Sequence, residues 1–381
     1  MKLTAQWLDH GPTQRFCAAV TAAGHRVLFV GGCVRNAVLG LAASDADLAT
    51  DALPDTIAAI AADAGFRTVA TGVEHGTITV LAAGVPLEVT TFRADVETFG
   101  RQARVAFSTN ILQDAQRRDF TMNALYAEAD GTVLDPLGTG LRDLQARRVR
   151  FVGDAALRIT EDYLRILRFF RFHAHFGDPA AGIDAEGLAA CAANLDGIDL
   201  LSRERIGAEV RKLLAAVDPA PAVASMAAAG VLARVIPGAD ATHLALLVDQ
   251  EAGIAARWQR RLALIGGASL QDDLRLSRSE ATQIDQIRQE IGSTQTAAVL
   301  AWRLGAVAAL DVLLLRATMF VQPFDHRLLA EIDRGALARF PVEAADLMPD
   351  LQGPALGARL KHLELQWQAS DLHLTREELL N

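Results

Sequence analysis

Cysteine and lysine are both scarce in the 381-residue sequence. The three cysteines, Cys17, Cys33 and Cys191, are odd in number and far apart, which excludes a disulfide framework and a zinc knuckle and predicts buried thiols. Only three of the 37 basic residues are lysines, and with so much alanine this indicates a GC-rich genome rather than selection for guanidinium chemistry.

The sequence also has no long uninterrupted apolar run. The longest, residues 304–321, is broken by Asp311 and Arg316 and falls short of the ~20 mostly apolar residues that a bilayer-spanning helix needs. The N-terminal segment lacks the basic-then-apolar order of a secretion signal. We therefore expect a cytoplasmic protein with no membrane partner.

Positive charge is in deficit overall, because 46 acidic residues against 37 basic ones give a net charge of −9. A negative protein is a poor match for nucleic acid, but the distribution of charge matters more than its sum. Residues 142–171 carry eight arginines and four acidic residues, a local charge of +4. This basic stripe is compatible with a nucleic-acid partner.

Half of the residues, 51%, are hydrophobic, and single cores stop growing near ~250–300 residues, so we expect more than one core. Short β-branched runs alternate with helical patches before residue 136, and later the pattern is helical with Gly and Pro breaks. The predicted elements are strands at 26–30 and 45–49, helices at 35–41 and 55–64, and a hairpin from 77–81 and 86–91. The fold class is α+β followed by an all-α region.

The first group of residues with chemical potential is a double glycine and two aspartates. The strand at 26–30 runs into Gly31-Gly32, and backbone N–H groups together with Arg35 there suit a phosphate chain. If 45–49 is a strand, Asp45 and Asp47 point to one face and can share divalent cations. An isolated Asp-x-Asp is more often a solvated loop, but the preceding Gly-Gly-x-x-Arg favours the metal site.

A second group, residues 117–124, reads RRDFTMNA. Its two arginines offer donors for phosphates, and Asp119 and Asn123 offer partners for a ribose. The same residues also suit an ordinary capped helix entry with the arginines in solvent. Composition alone does not decide between the two interpretations.

The third group, residues 161–171, has helical periodicity that sets Asp162, Arg165 and Arg168 on one arc. A fixed carboxylate accepts from the exocyclic amine of adenine or cytosine, and a guanidinium donates to the neighbouring ring nitrogen. Guanine and uracil present the opposite groups, so such a pair selects A and C without a template. The alternative is an amphipathic helix with i,i+3 ion pairs, and Phe169 and Phe172 are more often core than base-stacking residues.

Six motifs in this order resemble the class II tRNA nucleotidyltransferase/poly(A) polymerase family. The resemblance is close over residues 25–215 and weaker beyond. It lies in Gly31-Gly32-x-Val34-Arg35, Asp45-x-Asp47, Glu88-Val89-Thr90-Thr91-Phe92-Arg93, Arg117-Arg118-Asp119-Phe120-Thr121, Asp135-Pro136 and Glu161-Asp162-x-x-Arg165. Ser202-Arg203-Glu204-Arg205-Ile206 also matches.

The resemblance implies roles for the candidate residues. Asp45 and Asp47 would be the catalytic residues and would hold Mg²⁺. Gly32 and Arg35 would bind the triphosphate, with Arg118 at the ribose and phosphates.

For the base, the resemblance implies that Asp162 and Arg165 read the incoming nucleotide. Arg168 and Arg171 would bind phosphate or brace that reader. Glu88 is a further candidate, as a third carboxylate of the metal site.

The resemblance also implies the domain order. A nucleotidyltransferase head with a small mixed β-sheet would occupy residues 1–150, a helical neck that binds the base and RNA 151–220, and a helical body and tail that bind tRNA 221–381. The partners would be the acceptor arm and 3′ end of tRNA, with CTP and ATP as substrates. No obligate protein partner is evident.

Two features depart from or extend the family pattern. Asn36 stands where the family usually has Asp, which removes a charge that would steady Arg35. Residues 95–114, with Arg101 and Arg104, are a candidate for the flexible loop with which complete CCA-adding enzymes switch from C to A.

The leading hypothesis is addition of CCA to tRNA. The alternatives are a poly(A) polymerase, an enzyme that adds only C or only A, and, from another class, an inactive RNA-binding protein. The intact Asp45 and Asp47 argue against the last of these.

Overall fold

The computed structural model describes residues 1–42, 46–72, 76–99 and 102–381, which divide into two units. The first unit comprises Met1–Glu209 and Pro221–Arg234, and the second comprises Val210–Ala220 and Val235–Asn381. All candidate site residues fall in the first unit. Asp45 lies outside the described residues.

The strands belong to the first unit. They are β1 Val27–Val30, β2 Leu48–Thr50, β3 Arg67–Gly72, β4 Thr77–Ala82, β5 Val85–Thr91, β6 Arg93–Phe99, β7 Gln102–Phe107, β8 Tyr126–Ala127 and β9 Val133–Leu134. Seven of them form one sheet in the order β3-β4-β5-β2-β1-β8-β9, while β6 and β7 form a separate hairpin. Only the β2–β5 pairing is parallel in the described sheet, so the predicted small mixed sheet is confirmed.

The sheet forms where the sequence has its most apolar short runs. All four residues of β1 are buried, as expected for a strand covered on both faces. Leu28, Val30, Phe92 and Tyr126 pack in one cluster, with the Phe92 and Tyr126 rings edge to face at 6.4 Å between centroids. This core fixes the ends of the strands that carry the candidate site.

The helices before residue 236 surround or follow the sheet. They are α1 Gly11–Ala22, α2 Gly32–Val38, α3 Pro54–Asp63, α4 Ile111–Gln116, α5 Gly140–Gln145, α6 Ala155–Glu161, α7 Leu164–Phe176, α8 Ala185–Ala193, α9 Arg203–Leu214, α10 Ala220–Ala228 and α11 Val231–Val235. After β9 the described chain contains no further strand, which confirms the predicted change to an all-α region.

Most predicted elements are present with shifted ends. The strand at 26–30, the helix at 55–64 and the hairpin over 77–91 are confirmed. The helix predicted at 35–41 begins earlier, at Gly32, because the positive φ of Gly31, 72°, turns the chain directly out of β1. The strand predicted at 45–49 begins only at Leu48, so Asp47 lies before it, and the argument that a strand sets the Asp45 and Asp47 side chains on one face loses its basis.

The second unit is helical. Its helices are α12 Leu244–Gln250, α13 Trp258–Ile265, α14 Leu270–Leu274, α15 Arg278–Ile291, α16 Ala297–Leu304, α17 Ala306–Met319, α18 Leu328–Leu337, α19 Gly353–Ala369 and α20 Arg376–Leu380. Trp367 of α19 packs edge to face on Trp302 of α16, with 5.3 Å between ring centroids. The predicted buried thiols are also confirmed, since Cys17, Cys33 and Cys191 are free and buried.

A buried ion network occupies the middle of this unit. Arg260 donates to Glu251 at 2.6 Å and to Asp311 at 2.7 Å, and Arg261 donates to the other Glu251 oxygen at 2.7 Å. Arg261 also donates to the carbonyls of Leu214 and Val217. Asp311, one of the residues that interrupt the longest apolar run, is therefore paired inside the protein.

Candidate active site

The Gly31–Gly32 turn joins β1 to α2 and brings backbone close to an arginine. A Cβ at Gly31 would lie 3.6 Å from Nη1 of Arg118, and the Gly31 N–H donates to the Leu125 carbonyl at 3.2 Å. With φ at 72°, this position favours glycine for conformational reasons as well. The turn therefore presents bare backbone beside a guanidinium.

Arg35 follows one turn later and is buried by its own partners. Its Nη1 donates to the Asn123 amide oxygen at 2.7 Å, and Nε and Nη2 both donate to the Asn36 amide oxygen, at 3.1 and 2.8 Å. The guanidinium carbon lies 4.0 Å from the centroid of the Phe176 ring. Asn36 thus keeps the acceptor role of the family's usual Asp but contributes no negative charge.

Asp47 lies directly before β2 and next to the end of β1. Its carbonyl accepts from the Val30 N–H at 3.0 Å, and its side chain is exposed. In the parallel pairing Leu48 faces Val89, so the register sets Glu88, also exposed, beside Asp47 on the neighbouring strand. Within the described chain no three acidic, His or Cys side chains form a metal-binding group, and Asp45 is outside it.

A buried carboxylate holds the paired arginines of residues 117–118. Asp114 Oδ1 accepts from Arg117 Nε at 2.9 Å, and Oδ2 accepts from Arg118 Nη2 at 2.8 Å and from the Tyr126 hydroxyl at 2.6 Å. Burial raises the pKa of Asp114, but the two arginines and the tyrosine outweigh it and lower the pKa to about 2. The alternative in which both arginines lie free in solvent is wrong.

The candidate base-reading residues are not on one continuous helix. α6 ends at Glu161 and α7 begins at Leu164, so Asp162 lies in the break and the predicted helix over 161–171 is shorter than expected. Asp162 accepts from the Leu164 N–H at 3.1 Å and from Arg205 Nη2 at 2.7 Å. Both carboxylate oxygens are thereby fixed, with lone pairs left to accept from a ligand.

Arg165 is oriented by groups other than Asp162. Its Nη1 donates to the Arg158 carbonyl at 2.7 Å and to the Glu161 carboxylate, and its Nη2 donates to the Arg117 carbonyl at 3.2 Å. Its Nε makes no hydrogen bond within the described residues. The sequence places Arg165 near Asp162, and the structure holds each of them by a separate set of partners.

Arg168 and Arg171 are each paired with a carboxylate. Arg168 Nε donates to Asp119 Oδ2 at 2.8 Å, and Arg171 Nε lies 2.7 Å from Glu209 Oε2 of α9. Asp119 also accepts from the Asn123 amide at 2.9 Å. Burial raises the pKa of Asp119, but Arg168 outweighs it and holds the pKa below its usual range.

Three guanidinium groups surround the ring of Phe172. The guanidinium carbons of Arg35, Arg168 and Arg171 lie 5.2, 5.3 and 4.7 Å from its centroid. Three cations against the two carboxylates just described leave one net positive charge around this buried ring. Burial, with repulsion from Arg171 and Arg168, lowers the pKa of Arg35 to about 10. This cluster is suited to a polyanion.

Phe169 and Phe172 of α7 are core residues, as the sequence favoured. Phe169 is fully buried and stacks on Phe151 at 5.3 Å, and Phe172 is 5.0 Å from Phe120, centroid to centroid. Neither ring is exposed for base stacking.

Five of the eight arginines in the basic stripe are ion-paired. Asp143 holds Arg150, while Arg158, Arg165, Arg168 and Arg171 have the carboxylate partners Glu161, Asp119 and Glu209. The remaining three, Arg142, Arg147 and Arg148, are exposed and have no ion pair within the described residues. The local charge of the stripe is therefore partly neutralised.

Several site residues were not singled out from the sequence. Asp114 lies four residues before Arg118, and Tyr126 lies eight residues after it. This short separation in the sequence is a signal that could have identified both as buried partners of the arginine. Glu209 lies 38 residues after Arg171 and carries no local signal, because only the packing of α9 brings it close.

Comparison with known proteins agrees with this fold. A family model described as poly A polymerase head domain matches residues 27–150, and one described as a probable RNA and SrmB-binding site of polymerase A matches residues 182–242. The chain is 32% identical to the mitochondrial CCA tRNA nucleotidyltransferase 1 of Mus musculus over 94% of this chain and 86% of that protein. It is 43% identical to the CCA-adding enzyme of Lacticaseibacillus paracasei over 52% of this chain and 48% of that protein.

The solved structures agree. The crystal structure of the Bacillus stearothermophilus CCA-adding enzyme in complex with CTP superposes with a TM-score of 0.75 at 27% identity, covering 97% of this chain and 96% of that one. The fold is that of a nucleotidyltransferase. The chain belongs to the family of CCA tRNA nucleotidyltransferases and poly(A) polymerases. The family resemblance and the fold class predicted from the sequence are confirmed.

Nucleotidyltransferases of this family generally use a divalent metal ion. In the described part of the chain, no helix is both long enough and apolar enough to cross a membrane.

Proposed function

We propose that this nucleotidyltransferase completes the 3′ end of tRNA by adding CMP, CMP and AMP from CTP and ATP without a nucleic-acid template. In each step the RNA 3′-hydroxyl oxygen forms a bond to the α-phosphorus, the bond between the α- and β-phosphates breaks, and pyrophosphate leaves. The guanidinium cluster around Phe172 carries the proposal, because it offers an unbalanced positive charge beside the bare glycine turn, where a Cβ at Gly32 would lie 3.8 Å from Arg35 Nη2.

The triphosphate would occupy that cluster. Arg35, Arg168 and Arg171 are crowded cations, and a polyanion among them would relieve their mutual repulsion. The Gly32 backbone would approach the phosphates closely, as a residue without a side chain allows. Arg118, beside the same turn, would contact ribose and phosphates.

Asp45 and Asp47 would be the catalytic carboxylates and would hold Mg²⁺, with Glu88 as a third candidate ligand. The residues present fit this ion, because Asp47, directly before β2, and Glu88, on the adjacent strand β5, are exposed carboxylates and Mg²⁺ prefers oxygen ligands. The chemistry that Mg²⁺ supplies in such sites is activation of the attacking hydroxyl and neutralisation of the leaving pyrophosphate.

Asp162 and Arg165 would select the base. Asp162, held by the Leu164 N–H and Arg205, would accept from the exocyclic amine of C or A. Arg165 Nε would donate to the neighbouring ring nitrogen. A carbonyl or ring N–H at these points, as in U and G, would meet like partners and be rejected.

The remaining assignments follow the same proposal. Residues 1–150 would form the catalytic head, residues 151–220 would bind base and RNA, and residues 221–381 would bind the tRNA acceptor arm. The match of residues 182–242 to an RNA-binding model supports an RNA partner. The cytoplasmic location and the lack of an obligate protein partner stay predictions, and the relatives include enzymes named mitochondrial.

The test is incubation of the purified protein with tRNA lacking its 3′ CCA, Mg²⁺ and each nucleotide separately, then with CTP and ATP together. We expect two additions with CTP alone and a complete CCA end with both. Because the matching head model is named for poly A polymerase, an unrelated RNA with ATP is the control. Long A tails on both RNAs would favour the polymerase, addition of only C or only A a partial enzyme, and no addition an inactive binding protein.

A further inference from the structure

Asp114 is a buried carboxylate that does not itself contact the proposed substrate site. It is 1% exposed, and each of its oxygens is occupied by two donors. Oδ2 accepts from Arg118 Nη2 and the Tyr126 hydroxyl, while Oδ1 accepts from Arg117 Nε and from the Arg93 N–H at 3.3 Å. A fully occupied carboxylate cannot also bind a ligand, so any functional effect must pass through its partners.

The geometry of Arg118 indicates which partner matters. Asp114 takes Nη2 at 2.8 Å, and the Tyr126 hydroxyl accepts from Nε at 3.1 Å. The guanidinium is planar, so fixing two nitrogens fixes the third. That third nitrogen, Nη1, has no hydrogen-bond partner in the described chain and is the atom that a Cβ at Gly31 would approach to 3.6 Å.

Tyr126 completes the support from the core side. Its ring is fully buried against Phe92, and the Arg118 guanidinium carbon lies 5.2 Å from the ring centroid. Its hydroxyl donates to Asp114 and accepts from Arg118, so it is a link between carboxylate and guanidinium. Two nitrogens of Arg118 are therefore held by groups that are themselves immobilised by packing.

We propose that Asp114, together with Tyr126, is a positioning residue that aims Nη1 of Arg118 at the Gly31–Gly32 turn and so sets the affinity for the triphosphate of both substrates. The proposal rests on the proposed function, since it takes that turn as the triphosphate site. Because the contact is to phosphate and ribose rather than to the base, CTP and ATP are affected equally.

The test measures the Kd of inorganic tripolyphosphate, CTP and ATP by calorimetry with the full chain and no RNA, so that no turnover occurs. Asp114→Asn removes the charge, and Tyr126→Phe removes only the hydroxyl and keeps the packed ring. Hydrogen bonds to charged groups are strong enough that we expect each ligand to bind about tenfold more weakly to Asp114→Asn, and a few-fold more weakly to Tyr126→Phe.

The matched control is Asp311→Asn. Asp311 is equally buried and lies within reach of two arginines, but in the second unit. We expect it to leave all three Kd values unchanged. In an Arg118→Ala background, Asp114→Asn is expected to add no further loss, because its route to the ligand is gone.

Unchanged ligand affinity in a folded Asp114→Asn protein overturns the proposal, as does a loss that persists in the Arg118→Ala background. If Asp114→Asn does not fold, Tyr126→Phe decides on the same criteria. An enzyme that binds nucleotides but does not extend tRNA contradicts the proposed function alone, because these measurements need no RNA.

Discussion

Two buried carboxylates, one in each unit, differ in what their arginines are left to do. Asp114 is held by Arg117 and Arg118, whose side chains remain 19% and 20% exposed. Asp311 is held mainly by Arg260, which is 1% exposed. An ion pair that leaves a guanidinium at the surface can serve a ligand, whereas one that buries both partners can only serve the fold.

The electrostatics of the two carboxylates differ as well. Two arginines and a tyrosine hydroxyl lower the pKa of Asp114 to about 2 despite its burial. For Asp311, burial outweighs Arg260 and Arg257 and raises the pKa. The two pKa shifts differ in direction because the charged form of Asp114 is completely hydrogen-bonded, whereas Asp311 Oδ2 has no hydrogen-bond partner in the described chain.

The largest expected effect is on catalysis in the first unit. Asp47→Ala should reduce nucleotide addition roughly 10³- to 10⁴-fold, as loss of one member of a catalytic group does. The side chain is exposed, so its removal should leave the melting temperature within a few degrees of wild type. Primer-extension rates with tRNA and circular dichroism melting check both points. Near-normal addition at ordinary Mg²⁺ would remove Asp47 from the mechanism.

A substitution in the second unit should instead lower the free energy of unfolding and leave the catalytic activity unchanged. Glu251→Gln leaves Arg260 and Arg261 buried with less than their full charge balance, which costs about 3–5 kcal/mol. Urea denaturation measures the free energy of unfolding, and kcat/KM for CTP is measured per folded molecule. Glu331→Gln, a partner of Arg334 whose side chain is 46% exposed, is the control and should cost at most about 1 kcal/mol. A changed kcat/KM would mean that this network also serves the site.

The pH dependence of stability distinguishes the two carboxylates. The folded pKa of Asp114 is about 2, below its unfolded value of about 3.9, so its stabilising contribution is present above the unfolded pKa and lost as pH falls toward 2. Over that window it amounts to about 2–3 kcal/mol. Urea unfolding of wild type and Asp114→Asn at several pH values should show their difference shrinking as the solution is acidified.

Asp311→Asn is the control with the opposite sign. A raised folded pKa contributes stability below the unfolded pKa and loses it as pH rises, so wild type should lose its advantage over this variant toward neutral pH. If the stability difference from wild type changed with pH in the same direction for both variants, the opposite pKa shifts of Asp114 and Asp311 would be contradicted.

Base selectivity should depend on Asp162 and the residue that holds it. Asp162→Ala should relax discrimination against UTP and GTP by about 1–3 kcal/mol, because the carboxylate both attracts an amine and repels a carbonyl. Arg205→Ala, which frees one Asp162 oxygen, should show a smaller change of the same kind. The measurement is kcat/KM for all four nucleotides. A uniform rate loss with unchanged preference would show that specificity is set elsewhere.

The smallest expected effect concerns RNA binding by unpaired arginines. Arg148→Ala removes an exposed arginine, and should lower the slope of log K for tRNA against log salt by about 0.7–0.9 if it contacts one phosphate. Arg150→Ala, whose guanidinium Asp143 already holds, should change the slope less. Filter binding between about 50 and 200 mM salt decides, and equal slopes for both variants would mean that pairing does not matter here.

The sequence by itself determined the fold class, the family and most of the candidate site. These were predictable because each depends on local pattern, such as a strand ending in two glycines and arginines at helical spacing. The predictions failed where an element boundary was involved, at Leu48 and at Leu164, because a few hydrogen bonds at a chain end decide where a strand or helix starts.

Only the tertiary structure decided which charged side chains stay available to a ligand and which are neutralised by ion pairs with one another. The sequence shows eight arginines in the basic stripe, but it does not reveal that Glu209, from a later helix, forms an ion pair with Arg171. Nor does it reveal that Asp114 and Tyr126 fix two nitrogens of Arg118 and leave the third beside Gly31. The physical reason is range: backbone preferences act over a few residues, whereas ion pairs form between whichever side chains packing brings within about 4 Å, however far apart they lie in the chain.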